Sequence, residues 1–360
     1  MSNLNERIYF KNLNGLRFFA ALSVIIYHFY GLSVLNGHYG VTLFFVLSGF
    51  LITFLLLEEK DNHKTIYIKK FYIRRILRIW PLYFIIVVIS STIFFIQNPN
   101  IYAKEFFERI SYYIFFIPNI AFVFNIGIKY ASILWSVGSE EQYYLFWPWL
   151  IKMGNKRKTM FTFIIIILFF GFGPDIIDYI NNTYFQNSNK VLFYFSKILI
   201  RMGFNCMATG ALLAFVFKYY PQYLKILFSK TAQLIITLLI MYCWIKNVRM
   251  LFVDQFYATL FGLLILNLAV NPNAIFSLEN KVFNYLGKIS FGLYVYHLIA
   301  FDLNVKIIQL LGIEIRFQFL LFILGLFTTV LLSSISFFII EAPFLKLKRL
   351  KFSIIKSGNE

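Results

Sequence analysis

The chain has 360 residues, 60% hydrophobic and 21% aromatic but only 14% charged, with a mean hydropathy of +0.72. A soluble domain averages about 25% charged residues, so a soluble enzyme is excluded and an all-α, polytopic transmembrane bundle is expected. The formal net charge of +18 would point to nucleic acid in a soluble chain, but here loop topology accounts for most of it and no nucleic-acid partner is expected. Cys206 and Cys243 both sit in apolar surroundings, fit neither a disulfide framework nor a metal site, and read as packing residues.

The first apolar run, NLNGLRFFAALSVIIYHFY (12–30), carries Arg17 and His28. Eleven helical residues at about 100° each complete about three turns, so both side chains fall on one stripe about 16 Å apart. Two ionisable groups on one face of a membrane helix suggest a functional site; the alternative is an arginine snorkelling to the interface and a histidine satisfied by a neighbouring helix. The run lacks a small-x-small cleavage site and is expected to stay as a signal-anchor helix.

Ten spans are expected near 16–34, 40–57, 80–97, 132–151, 160–176, 199–217, 232–247, 255–270, 290–311 and 317–340. Of the 34 Lys and Arg residues, 23 fall in one set of alternate segments and nine in the other, with Arg17 and Arg201 at or inside spans. The positive-inside rule then places both termini in the cytoplasm. Pro118, Asn119 and Asn125 interrupt residues 104–127, which are expected to form a broken or re-entrant segment. Residues 1–345 are expected to form the membrane domain and 346–360 a short basic cytoplasmic tail.

Further polar features stand out along the chain. Ser48-Gly49, within GVTLFFVLSGF, reads as close helix packing. Arg74, Arg75 and Arg78 precede Pro81 in FYIRRILRIWPLYF, which also carries Tyr83; the cluster suits either lipid headgroups or the phosphates of a ligand. In ILWSVGSEEQYYLFWPW, which begins near Trp135, Ser136, Glu140 and Tyr144 share a stripe. Glu140 is a functional carboxylate or a structural ion-pair partner of Arg201 or Arg17. In GKISFGLYVYHL, Ser290, Tyr294 and His297 share a face, and His297 reads as a packed, hydrogen-bonded residue. With Arg17 at the inner edge of a core of about 30 Å, His28 lies about 16 Å deep and Glu140 about 18 Å from the same side. A histidine and a carboxylate converging near the midplane resemble a general base and its partner.

Taken in order, NGLRFFAALSVIIYHF, FFVLSGFLIT, RRILRIWPLY, WSVGSEEQYYLFWP, GALLA (210–214), SFGLYVYH and EAPFLK resemble acyltransferase family 3, the bacterial integral-membrane O-acyltransferases. The resemblance covers essentially the whole chain. It implies a multi-pass protein of the bacterial inner membrane that transfers an acyl group, usually acetyl, from cytoplasmic acyl-CoA to a glycan hydroxyl. The acceptor classes left open are O-antigen, capsule, exopolysaccharide and lipid-linked sugar, and no metal is implied. By position, His28 matches the family's essential histidine, Arg17 its paired arginine, Arg74, Arg75 and Arg78 the donor-side basic motif, and Glu140 the glutamate of the Trp-Ser-x-x-x-Glu motif.

Val137-Gly138-Ser139 replaces the commoner Leu-Ser-Val, a change expected to loosen local packing. No SGNH-type hydrolase domain follows the last span, so the resemblance implies that any such partner is a separate protein. On this reading His28 is the general base and Glu140 or another acid fixes its tautomer, with a transiently acylated His28 as a two-step variant. The rival class is a transporter that uses Arg17, His28 and Glu140 as a proton or substrate relay.

Overall fold

A backbone in lipid must satisfy its own hydrogen bonds, which is why apolar runs of this length become helices. The computed structural model describes residues 8–31, 36–248, 250–312, 318–352 and 354. Arg7, Arg249, Arg316 and Lys356, four of the charges in the topology count, lie outside the described residues, as do parts of the expected first and last spans.

The helices are α1 (Leu13–Tyr30), α2 (Gly37–His63), α3 (Ile68–Gln97), α4 (Ala103–Ile114), α5 (Pro118–Val123), α6 (Trp135–Met153), α7 (Lys156–Phe185) and α8 (Lys190–Met202). They continue with α9 (Phe204–Tyr219), α10 (Lys230–Ile245), α11 (Val253–Ala269), α12 (Lys281–Lys288), α13 (Ser290–Leu310), α14 (Gln318–Ser336) and α15 (Ala342–Lys351).

Among the described residues, seven stretches are long and apolar enough to cross a membrane: α1, α2, α3, α7, α8 with α9, α13, and Gln318–Lys351. The other three expected spans are also helices. Of these, α10 and α11 are apolar but only 16 and 17 residues long, while α6 carries Ser136, Ser139, Glu140, Glu141 and Gln142 in its first half. The expected break within 104–127 is present. Phe116 has φ 56° between α4 and α5, a left-handed conformation that a regular helix cannot pass through. At the other end, α14 passes through a π-helical turn (Phe337–Glu341) into α15, so a boundary at residue 345 falls inside a helix.

Buried on nearly every side, α2 packs against α1, α6, α9 and α11. Apolar side chains gain little by leaving lipid for another helix, so close approach depends on small residues. A Cβ on Gly49 would overlap the Met207 carbonyl, and one on Gly210 would overlap the Val46 carbonyl. The Ser48-Gly49 packing role therefore belongs to the glycine. Trp147 Nε1 donates to Thr53 Oγ1 at 2.8 Å, joining α6 to α2. Lys60 Nζ donates to the Ile151 carbonyl at 2.6 Å, satisfying the C-terminal turn of α6.

Gly138 does not loosen its surroundings. Its missing Cβ makes room for Pro118, and the Asn119 and Gln142 side-chain amides bond each other reciprocally at 3.2 and 2.8 Å, fastening α5 to α6.

The start of α1 is clamped by Asn12, which adopts φ 63°. Its N–H donates to Glu279 Oε2 at 2.8 Å and its Nδ2 to the Leu268 carbonyl at 2.7 Å, while its Oδ1 accepts from the Leu278 N–H at 2.6 Å. Burial opposes ionisation of Glu279. Donors from Tyr9, Asn12 and Asn284 outweigh it and hold the carboxyl below its usual pKa. A depressed carboxylate pKa stabilises the fold above the unfolded-state value of about 4.3, and that contribution is lost as pH falls through the folded value. Glu279→Gln is therefore expected to lower the melting temperature at neutral pH, with the gap to wild type closing below about pH 4. A gap that stayed constant on acidification would show that the carboxylate charge does not clamp α1.

Candidate active site

Arg78 of α3 lies one helical turn from both Arg74 and Arg75, so spacing alone does not say which of the two it faces a site with. Arg75 and Arg78 line a cavity of about 110 Å³ of water-accessible volume. The same cavity receives Arg17 from α1, Ser48 from α2, Glu140 from α6 and Tyr294 from α13. Arg74 is not among the lining residues: its Nη2 pairs with Glu59 Oε2 at 3.0 Å and its Nη1 donates to the Phe352 carbonyl at 3.3 Å. The basic cluster therefore divides into two cavity residues and one residue tying α3 to the end of α2.

The stripe expected on α6 also lines this cavity, with Ser136, Glu140 and Tyr144 all present. Glu140 Oε1 accepts from Ser48 Oγ at 2.7 Å and its Oε2 from the Tyr144 hydroxyl at 3.2 Å. Glu141 faces away and accepts from Trp80 Nε1 at 3.0 Å. Ser290 lines the same cavity, whereas Tyr83 is buried apart from it and donates to the Tyr113 carbonyl at 2.8 Å.

His28 opens into a second cavity, of about 320 Å³ of water-accessible volume. It lies in the last turn of α1, rather than midway along a longer helix beside Glu140. Its neighbours across this space include His38, Trp135 and Arg201. Val41 and Tyr294 line both cavities, which are therefore neighbours. The Tyr294 hydroxyl is held there, 2.9 Å from Ser136 Oγ and 2.7 Å from the Ile133 carbonyl to which it donates.

The expectation that Glu140 fixes the tautomer of His28 does not survive this geometry. That position is taken by His297, which is fully buried. His297 Nδ1 lies 2.6 Å from the Tyr294 carbonyl, which can only accept, so Nδ1 carries the proton and Nε2 is an acceptor. His28 Nδ1 lies 3.1 Å from that Nε2 and 3.0 Å from the Val24 carbonyl, so it too carries its proton. The network assigns His28 an unprotonated Nε2, the form a general base needs.

Three features escaped the sequence reading. His38 Nε2 bonds Asp254 Oδ1 at 2.9 Å, and the only signal was a carboxylate at the start of the apolar helix α11. Arg201 approaches the rings of Phe122 and Trp135 at 4.4 and 4.7 Å rather than pairing with Glu140. Ser139, in the variant tripeptide, donates to the Arg201 carbonyl at 2.6 Å. Among the described residues, no three His, Cys, Asp or Glu side chains gather as a metal site.

A bundle of apolar helices enclosing two polar cavities, one basic and one carrying an oriented histidine pair, has the form of a membrane-embedded transferase. The acyltransferase 3 profile, described as an acyltransferase domain, matches residues 10–338, and the chain belongs to this family. Similar proteins include "Putative O-acetyltransferase SACOL0978" of Staphylococcus aureus (strain COL), 27% identical across 94% of this chain and 58% of that protein. Another is O-acetyltransferase OatA of Staphylococcus aureus (strain NCTC 8325 / PS 47), 27% identical across 94% of this chain and 57% of that protein. The chain thus spans a little over half the length of these relatives. No solved structure matches it.

His28 is exposed and His297 is not. Diethyl pyrocarbonate applied to the folded protein is therefore expected to carbethoxylate His28 and spare His297, as read by peptide mass spectrometry. Modification of His297 with His28 intact would reverse the assignment of which ring faces the cavity.

Proposed function

We propose that this chain is a multi-pass membrane O-acetyltransferase that moves an acetyl group from acyl-CoA to a hydroxyl of a glycan at the outer face of a bacterial cytoplasmic membrane. The observation that carries this reading is the pair of neighbouring cavities that share Val41 and Tyr294 in their linings. Family membership and the names of the relatives support the transferase class over a transporter. The reading counts α6, α10 and α11 with the seven longer stretches as ten spans, with both termini cytoplasmic.

The Arg17 cavity is the donor side. Arg75 and Arg78 offer guanidinium forks to CoA phosphates, and Arg17 lies beside the path of the thioester. Ser48 and Tyr144 hold the Glu140 carboxylate in one orientation on that wall. The thioester passes the Tyr294 wall to meet an acceptor hydroxyl in the His28 cavity. His28 Nε2 takes the hydroxyl proton as the oxygen attacks the thioester carbonyl carbon. The tetrahedral intermediate then expels CoA thiolate, which takes the proton from the imidazolium. The products are the glycan acetyl ester and CoA thiol. His297 and the Val24 carbonyl keep His28 in the reactive tautomer throughout.

The kinetic test uses membranes containing the full chain. His28→Ala should lower turnover by about 100-fold or more, the usual contribution of a positioned general base. Arg75→Met with Arg78→Met should raise the KM for acetyl-CoA, while Arg74→Met should leave KM near wild type and lower thermal stability. Full transfer by a correctly inserted His28→Ala protein would falsify the base assignment, and an equal KM increase in Arg74→Met would rejoin that residue to the donor site.

A further inference from the structure

Arg201 is held at both ends of its side chain. Its backbone closes α8 one residue before Met202, and its carbonyl accepts from Ser139 Oγ at 2.6 Å. The guanidinium packs 4.4 Å from the ring centroid of Phe122 and 4.7 Å from that of Trp135. It lies on the wall of the His28 cavity. Among the described residues, no carboxylate or carbonyl is hydrogen-bonded to it. Asp254 lies close enough to offset part of its charge, but makes no hydrogen bond to it and has Oδ1 engaged by His38 at 2.9 Å.

Such a cation is costly to retain. A guanidinium carries five N–H donors, is always charged, and is stabilised by aromatic faces only in part. In a helical bundle of this kind an ionisable group that faces a cavity marks a substrate path. The space before it is about 320 Å³ of water-accessible volume, enough for a sugar ring. A neutral hydroxyl would satisfy one or two donors and leave the charge. A carboxylate or phosphate would satisfy both and match the fork in bidentate fashion.

We propose that Arg201 is the acceptor-recognition residue of this cavity. The acceptor is an acidic glycan whose carboxylate or phosphate docks on Arg201 while a hydroxyl of the same sugar meets His28. This rests on the assignment of the His28 cavity to the acceptor. The rings of Trp135 and Phe122 pack against the fork at the cavity wall, and the Ser139 hydrogen bond fixes the helix end from which it projects. Arg201 selects the acceptor and moves no proton.

The test measures binding of methyl glucuronide, methyl glucoside and glucose 1-phosphate to the purified full chain in detergent at fixed ionic strength, by titration calorimetry. Wild type is expected to bind at least one of the two anionic sugars about tenfold more tightly than methyl glucoside, with the two anions distinguishing carboxylate from phosphate. Arg201→Gln should abolish that preference. Arg201→Lys, which keeps the charge without the fork, should retain a reduced one and controls for loss of folding. Equal binding of charged and neutral sugars by wild type, a preference that survives in Arg201→Gln, or no binding of any of the three would overturn the proposal. Acetyl-CoA binding by wild type, measured alongside, reports on the donor cavity separately, so failure of the donor reading and failure of this one give different results.

Discussion

The close contact between α2 and α9 sets the geometry on which both cavities depend. Two glycines, Gly49 and Gly210, bring each backbone against a carbonyl of the other helix. In lipid this contact replaces what hydrophobic burial would supply in water. Because α2 is fixed so tightly, the residues on its other faces have little freedom. Ser48 meets Glu140, Thr53 meets Trp147, and Val41 stands between the two cavities. A side chain at either glycine would separate the helices and move all three.

The polar groups nearest the two cavities have defined partners, as a low-dielectric environment favours, although elsewhere among the described residues buried atoms such as the Tyr143 hydroxyl and Glu341 Oε1 have none. Glu140 is held by two hydroxyls, Glu141 by an indole, and the paired imidazoles by two backbone carbonyls. These contacts orient as well as satisfy. A histidine whose Nδ1 proton is committed to carbonyl and imidazole acceptors can present only its other nitrogen to the cavity. The orientation therefore comes from a neutral network in place of the carboxylate partner common in soluble enzymes.

Much of this was legible in the sequence, for reasons that differ by residue. Helical periodicity places Ser136, Glu140 and Tyr144 on one stripe, and α6 keeps them together. It also makes both Arg74 and Arg75 neighbours of Arg78, but that spacing could not reveal that Arg74 turns toward Glu59, fifteen residues earlier. The match in depth between His28 and Glu140 misled because depth along two helices says nothing about what stands between them. Tyr294 stands there, and its position depends on the packing of α13 against the rest of the bundle. Likewise His38 and Asp254 lie more than two hundred residues apart, and no local spacing announces their meeting. Gly138, read as a weak point, proved to be a site of close packing because its neighbour was the proline that opens α5 within the broken segment.

The wall shared by Val41 and Tyr294 also bears on the membrane as a barrier. On the proposed reading the two cavities serve opposite faces, and joined into one aqueous passage they would short-circuit the bilayer. Here Val41 and Tyr294 line both cavities, and the hydroxyl of Tyr294 is tied to Ser136 and Ile133, so that side chain is anchored at its tip. A small acyl group can then be handed past these two side chains while ions and the proton gradient are kept apart. The energy-coupling function of the membrane would then rest, at this point, on Tyr294 and Val41 staying in place between turnovers.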